Sequence, residues 1–80
     1  MSSEPEQQHE VIGKNIEVLQ DMVHTPLDPP PRWIQKWQMM AEHVVTVAIV
    51  TKEKGDLDQL RMLDEEAAKL VEERKAKLSR

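Results

Sequence analysis

A run of seven residues in the middle of the chain, Val44 to Val50, is almost entirely apolar. It reads Val-Val-Thr-Val-Ala-Ile-Val, and only Thr46 interrupts it. Since each residue of an α-helix turns its side chain by about 100°, this run places apolar groups at every angle around the axis. A small bundle covers one stripe of a helix more readily than its whole circumference. We therefore expect either a fully wrapped central helix or a surface that another chain covers.

The first part of the chain carries an apolar stripe at helical spacing and is predicted to be a helix from about residue 4 to residue 24. The stripe positions are separated by four, three and four residues: Ile12, Ile16, Leu19 and Val23. Ser3 and Glu6 match a capping box at its start. Gly13 weakens this helix by about 1 kcal/mol relative to alanine, so its N-terminal end is expected to fray.

A proline-rich stretch, residues 25–30, separates this helix from the next one. A residue that precedes a proline avoids the α region, so the first helix must end near His24. Pro29 and Pro30 favour polyproline II, and Pro31 can serve as the first residue of the second helix. The stretch is interpreted as a stiff corner, in preference to a proline-rich docking motif.

The second helix is predicted from about residue 31 to residue 54, with Gly55 in the left-handed conformation behind it. The competing interpretation is a β-strand from Val44 to Thr51, because most of these residues are β-branched. A strand would need a partner, and neither flanking segment alternates between apolar and polar residues. The pattern therefore favours a helix.

The third helix is predicted from about residue 56 to residue 78. Its acidic residues come first and its basic residues last, which complements the helix dipole. Asp64, Glu65 and Glu66 are interpreted as a solvated face, and the basic tail from Arg74 to Arg80 as part of the same dipole complementation. The short joint between the second and third helices predicts an antiparallel hairpin.

Together these patterns predict an all-α fold with residues 1–80 as one helical domain. It would be a small three-helix bundle, or a helical hairpin with a mobile first helix. Two neighbouring helices cannot cover every face of the central helix. We therefore expect a homodimer formed through that helix, by Val45, Val47, Ile49 and Val50.

Composition narrows the possible functions. The chain has 80 residues, no cysteine and a net charge of −4. The absence of cysteine excludes disulfides and thiolate metal sites and fits a cytoplasmic protein. The negative charge disfavours nucleic-acid binding, which depends on neutralising phosphates. Polar and charged residues interrupt residues 33–50, so a membrane span is not expected there.

No pattern of catalytic, cofactor-binding or metal-binding residues stands out. His9, His24 and His43 lie in different segments and none of them forms a helical pair of metal ligands. With only Gly13 and Gly55, the chain has no glycine-rich phosphate loop. We expect neither an enzyme nor a cofactor-binding protein.

Trp33 and Trp37 are the only aromatic residues, and they lie four residues apart just after the proline-rich corner. Tryptophan is enriched among the anchors of protein interfaces, so these two residues and Met40 are the candidate partner-binding site. Met39 would add an adaptable surface beside them. The alternative is that the indoles belong to the core, and the sequence leaves both roles open.

Three functions are compatible with these features. The first is a non-enzymatic protein–protein interaction module, such as an adaptor, an assembly factor or an oligomeric subunit. The second is a small acidic regulator or inhibitor, of the type that a phage or another mobile element encodes, docking on a larger host complex. The third is a peripheral membrane protein anchored by the central helix.

Overall fold

The computed structural model describes residues 12–79, which form three α-helices. Helix α1 spans Lys14–His24, α2 spans Ile34–Lys54 and α3 spans Leu57–Leu78. Each helix packs against both of the others, and residues 12–79 contain no β-strand. The all-α class is confirmed. Of the two predicted architectures, the structure adopts the three-helix bundle.

Helix α1 begins later than the sequence pattern predicts. Gly13 has a φ of 102°, a left-handed conformation that ends the helix on its N-terminal side, so α1 starts at Lys14. The prediction of one helix from about residue 4 is therefore wrong at Gly13. The predicted cap at Ser3 and Glu6 lies outside the described residues. At the other end, α1 stops at His24 as predicted, and Thr25 is extended.

The second helix also begins slightly later than predicted. Pro31, Arg32 and Trp33 form a turn in which the amide of Ile34 donates to the carbonyl of Pro31 at 3.2 Å. Helix α2 then runs from Ile34 through the whole of the apolar Val44–Val50 run. The helical interpretation of that run is confirmed over the β-strand alternative.

Two residues turn the chain between α2 and α3. Gly55 has a φ of 79°, and its amide donates to the carbonyl of Lys52 at 3.2 Å. The amide of Asp56 donates to the carbonyl of Thr51 at 3.4 Å, which completes a Schellman motif. Asp56 then caps α3, because its carboxylate accepts from the amide of Gln59 at 3.2 Å. The predicted glycine stop is confirmed.

The core lies where the three helices meet, and it is almost wholly aliphatic. Trp37 and Leu19 are its largest completely buried side chains. The other buried apolar residues come from all three helices: Ile16 of α1, Ile34, Ala41, Val44, Val45 and Ala48 of α2, and Leu60, Leu63, Ala67 and Val71 of α3. Alanines at the helix contacts let the backbones approach closely, so a core with one large aromatic residue can still be dense.

Helix α1 runs parallel to α3 and is capped by it. The carboxylate of Asp64, on α3, accepts from the amides of Asn15 and Ile16 at 2.9 and 3.3 Å, and from the side-chain amide of Asn15 at 3.3 Å. These two backbone amides are among those that a helix leaves without an internal partner, and Gly13 has no side chain to serve them. The interpretation of Asp64 as part of a solvated face is wrong, because its carboxylate is half-buried against the start of α1 and caps that helix.

Replacing Asp64 with alanine should lower the free energy of unfolding by about 1–2 kcal/mol, because two amides at the start of α1 lose their acceptor. Urea denaturation followed by circular dichroism measures this change. Glu65→Ala is the matched control, since Glu65 is the exposed neighbour on the same helix. An Asp64→Ala protein as stable as Glu65→Ala would contradict the capping role.

Candidate functional site

Arg74 is a buried charged residue that joins α3 to the end of α1. Only 6% of its surface is exposed. Its Nη1 donates to the carbonyl of Met22 at 2.8 Å, within the last turn of α1, and that carbonyl also accepts from the amide of Thr25 at 3.3 Å. The guanidinium carbon lies 5.3 Å from the centroid of the Trp37 ring, a cation–π distance. Arg74 therefore does more than complement the dipole of α3, because it also joins this helix to α1.

Trp37 is the centre of the same cluster. It is 1% exposed, and its indole Nε1 donates to the carbonyl of Leu70 on α3 at 3.0 Å. A buried indole needs such an acceptor, because an unpaired N–H would cost stability. Of the two roles that the sequence leaves open, the folded bundle places Trp37 in the core. A partner docking on this bundle would not contact it.

Trp33 covers the outer side of Trp37. The two rings meet edge to face, with centroids 6.5 Å apart and planes at 88°. Lys77 of α3 places its Nζ 5.0 Å from the centroid of Trp33, on a face that would otherwise meet solvent. Trp33 is half-buried. Both indoles are thus engaged within the chain, and a membrane contact made by both of them would require the bundle to open.

The four residues predicted for self-association do not share one surface. Val45 is buried in the core and Val47 is half-buried against it. Ile49 and Val50 are exposed, but they line different grooves of the bundle. Ile49 lines a groove with residues of α1, whereas Val50 lines one with the start of α3. Adjacent helix positions point about 100° apart, which separates this pair.

Several large apolar side chains are exposed along the grooves between α2 and α3, and we call this surface the α2–α3 face. Residues at helical spacing on each helix form it: Met39, Met40, His43, Val47 and Val50 of α2, and Gln59, Met62, Glu66 and Lys69 of α3. Met39 is 72% exposed and Met62 is 64% exposed. Such exposure is unusual for large apolar side chains that are grouped on one side of a small protein.

Within the α2–α3 face, around Met39, is a groove of about 530 Å³, which we call the methionine groove. Met39, Met40 and His43 form its α2 side, and Glu66, Lys69 and Leu70 form its α3 side, with Val44 at the base. Met40 is the one predicted partner-binding residue that lies here. The sequence predictions do not include this face, although Met39, His43, Val47 and Val50 recur at helical spacing and could have indicated it.

Comparison with known proteins finds no family model, no curated protein and no solved structure that matches this chain. Within residues 12–79, no helix is both long and apolar enough to cross a bilayer. The same residues hold no cluster of three histidine or carboxylate side chains that could bind a metal ion.

Replacing Arg74 with alanine should cost about 2–3 kcal/mol of unfolding free energy, because a charged hydrogen bond and the stacking on Trp37 are lost together. Urea denaturation of Arg74→Ala measures the change. Lys75→Ala provides the control, since Lys75 is exposed on the same turn. Equal stability of the two variants would show that the Arg74 contacts are not made in solution.

Trp37→Ala should destabilise the bundle by about 3–5 kcal/mol, the cost of deleting a fully buried aromatic side chain. Trp33→Ala should cost less, because half-buried Trp33 leaves a smaller cavity. Thermal melts of the two variants compare these effects. A larger loss of stability in Trp33→Ala than in Trp37→Ala would contradict the assignment of Trp37 as the core residue.

Proposed function

We propose that this chain is a non-enzymatic protein–protein interaction module that acts as a homodimeric subunit. The observation that carries the proposal is the grouping of exposed apolar side chains. Seven large apolar residues are exposed among residues 12–79. Met39, Met40 and Val50 line grooves of the α2–α3 face, and Met62 shares the helical spacing of Gln59, Glu66 and Lys69 on α3. The core is filled without them, so folding of the single chain does not account for their placement.

The size of the α2–α3 face suits a protein partner. Helices α2 and α3 have 21 and 22 residues, and at 1.5 Å per residue each is about 30 Å long. Two adjacent helices about 10 Å wide present roughly 600 Å² of projected area. A standard interface buries about 800 Å² of accessible surface per partner, so this face approaches what a stable dimer requires.

The chemistry of the face also suits a second helical surface. Methionine side chains are flexible and polarisable, and they adapt to the ridges of an opposing helix. The apolar centre is bordered by Lys54, Gln59, Glu66 and Lys69. An apolar centre with a polar rim is the usual anatomy of an interface. A second copy is the simplest partner, because a twofold arrangement buries the same face on both chains.

Sedimentation equilibrium at micromolar concentration tests this proposal. We expect a mass near twice the 9.3 kDa of the chain. Met39→Glu places a charge in the middle of the interface and should weaken the dimer by roughly tenfold or more, because an unpaired charge is costly to bury. The bundle should still fold, since Met39 is largely exposed in the single chain.

Val18→Glu is the matched control. Val18 is also an exposed apolar residue, but it lies on α1, away from the α2–α3 face. Val18→Glu should leave the affinity of the dimer unchanged. A wild-type chain that sediments as a monomer would overturn the proposal. A dimer weakened by Val18→Glu and not by Met39→Glu would place the interface elsewhere.

A further inference from the structure

The methionine groove carries one acidic and one basic residue, separated by a single helical turn. Glu66 and Lys69 lie three positions apart on the outer side of α3, both exposed, and among residues 12–79 no other acidic or basic residue except His43 lines this groove. Residues at this spacing project from the same side of a helix. The groove therefore has two methionines and His43 along α2, and one negative and one positive charge along α3.

This arrangement is complementary to itself in one orientation. A twofold axis that crosses α2 and α3 at right angles, over the groove, sets each helix antiparallel to its own copy. If the axis passes between Glu66 and Lys69, each glutamate meets the lysine of the other protomer. Two equivalent carboxylate–amine pairs then flank the apolar contact. On α2, Met40 and His43 lie at the same level as these charges, so the methionines of both copies meet near the axis.

The other twofold arrangement of this face lacks that complementarity. An axis parallel to the helices would lay α2 of one protomer over α3 of its partner. Glu66 and Lys69 would then face His43 and Met40, which provide no matching pair of opposite charges. Charges across an interface chiefly set orientation and register, while apolar burial supplies most of the affinity.

We propose that this chain forms an antiparallel twofold dimer through the methionine groove, with reciprocal Glu66–Lys69 contacts that fix its register. The inference rests on the proposed dimerisation and adds the residues that determine its geometry. These residues also make the dimer specific, because a partner surface without the reversed charge pair would bury unmatched charges.

Charge reversal tests this geometry. In Glu66→Lys alone, four positive charges face each other across the dimer, and in Lys69→Glu alone, four negative charges do. Each variant should therefore dimerise on the order of tenfold or more weakly than the wild type, because like charges are brought together. An equimolar mixture should recover the dimer, since the lysine-bearing face of one variant opposes the glutamate-bearing face of the other. The double variant, Glu66→Lys with Lys69→Glu, should dimerise like the wild type.

Sedimentation velocity measures the masses, and native mass spectrometry with one variant isotope-labelled identifies the mixed dimer. Far-UV circular dichroism should show the same helix content in all variants, because both residues are exposed. Recovery of mass in the mixture and in the double variant supports the antiparallel dimer. A different result is possible, in which the wild type dimerises, Met39→Glu disrupts the dimer and all charge variants dimerise equally. That result would support the α2–α3 face as the interface and contradict the antiparallel geometry. A monomeric wild type would overturn both the proposed dimerisation and the antiparallel geometry.

Discussion

The three-helix bundle depends on the attachment of α1 to α3. Helix α1 has only 11 residues, fewer than an isolated helix needs to be stable in water, and Gly13 gives it no side-chain cap. Helix α3 supplies what α1 lacks at both ends. Asp64 accepts from amides in its first turn, and Arg74 donates to the carbonyl of Met22 in its last turn. These contacts complement the dipole of α1 at both ends, and Asp64 also satisfies amides that have no partner within the helix.

The same attachment determines which surfaces remain available. Arg74 stacks on Trp37, and Trp37 donates to α3, so contacts with α1, α2 and α3 converge at one end of the bundle. With α1 held on one side, α2 buries Val44, Val45 and Ala48 and leaves its opposite side toward solvent. The α2–α3 face is therefore a consequence of where α1 sits. We propose that a second copy of the chain covers it.

Local signals predict the helices well, because they depend on neighbours in sequence. Gly55 ends α2, Asp56 caps α3, and the proline-rich corner ends α1. Each of these boundaries is determined by a few residues that are adjacent in sequence. The roles of Asp64 and Arg74 depend instead on contacts across 49 and 52 positions. From sequence alone, consecutive acids are interpreted as a solvated face and a basic helix end as a complement to the helix dipole, since those are their usual roles. The sequence also leaves the burial of Trp37 open, because it depends on contacts with a distant helix, such as the bond to the Leu70 carbonyl.

Native-state hydrogen exchange tests most directly whether α1 is an integral part of the bundle. If α3 holds α1 at both ends, the amide of Leu19 should open only when the whole chain unfolds. Its opening free energy should then match those of Ala41 in α2 and Ala67 in α3, all three being fully buried. An opening free energy for Leu19 several kcal/mol below the other two would show that α1 detaches by itself, which would contradict the account.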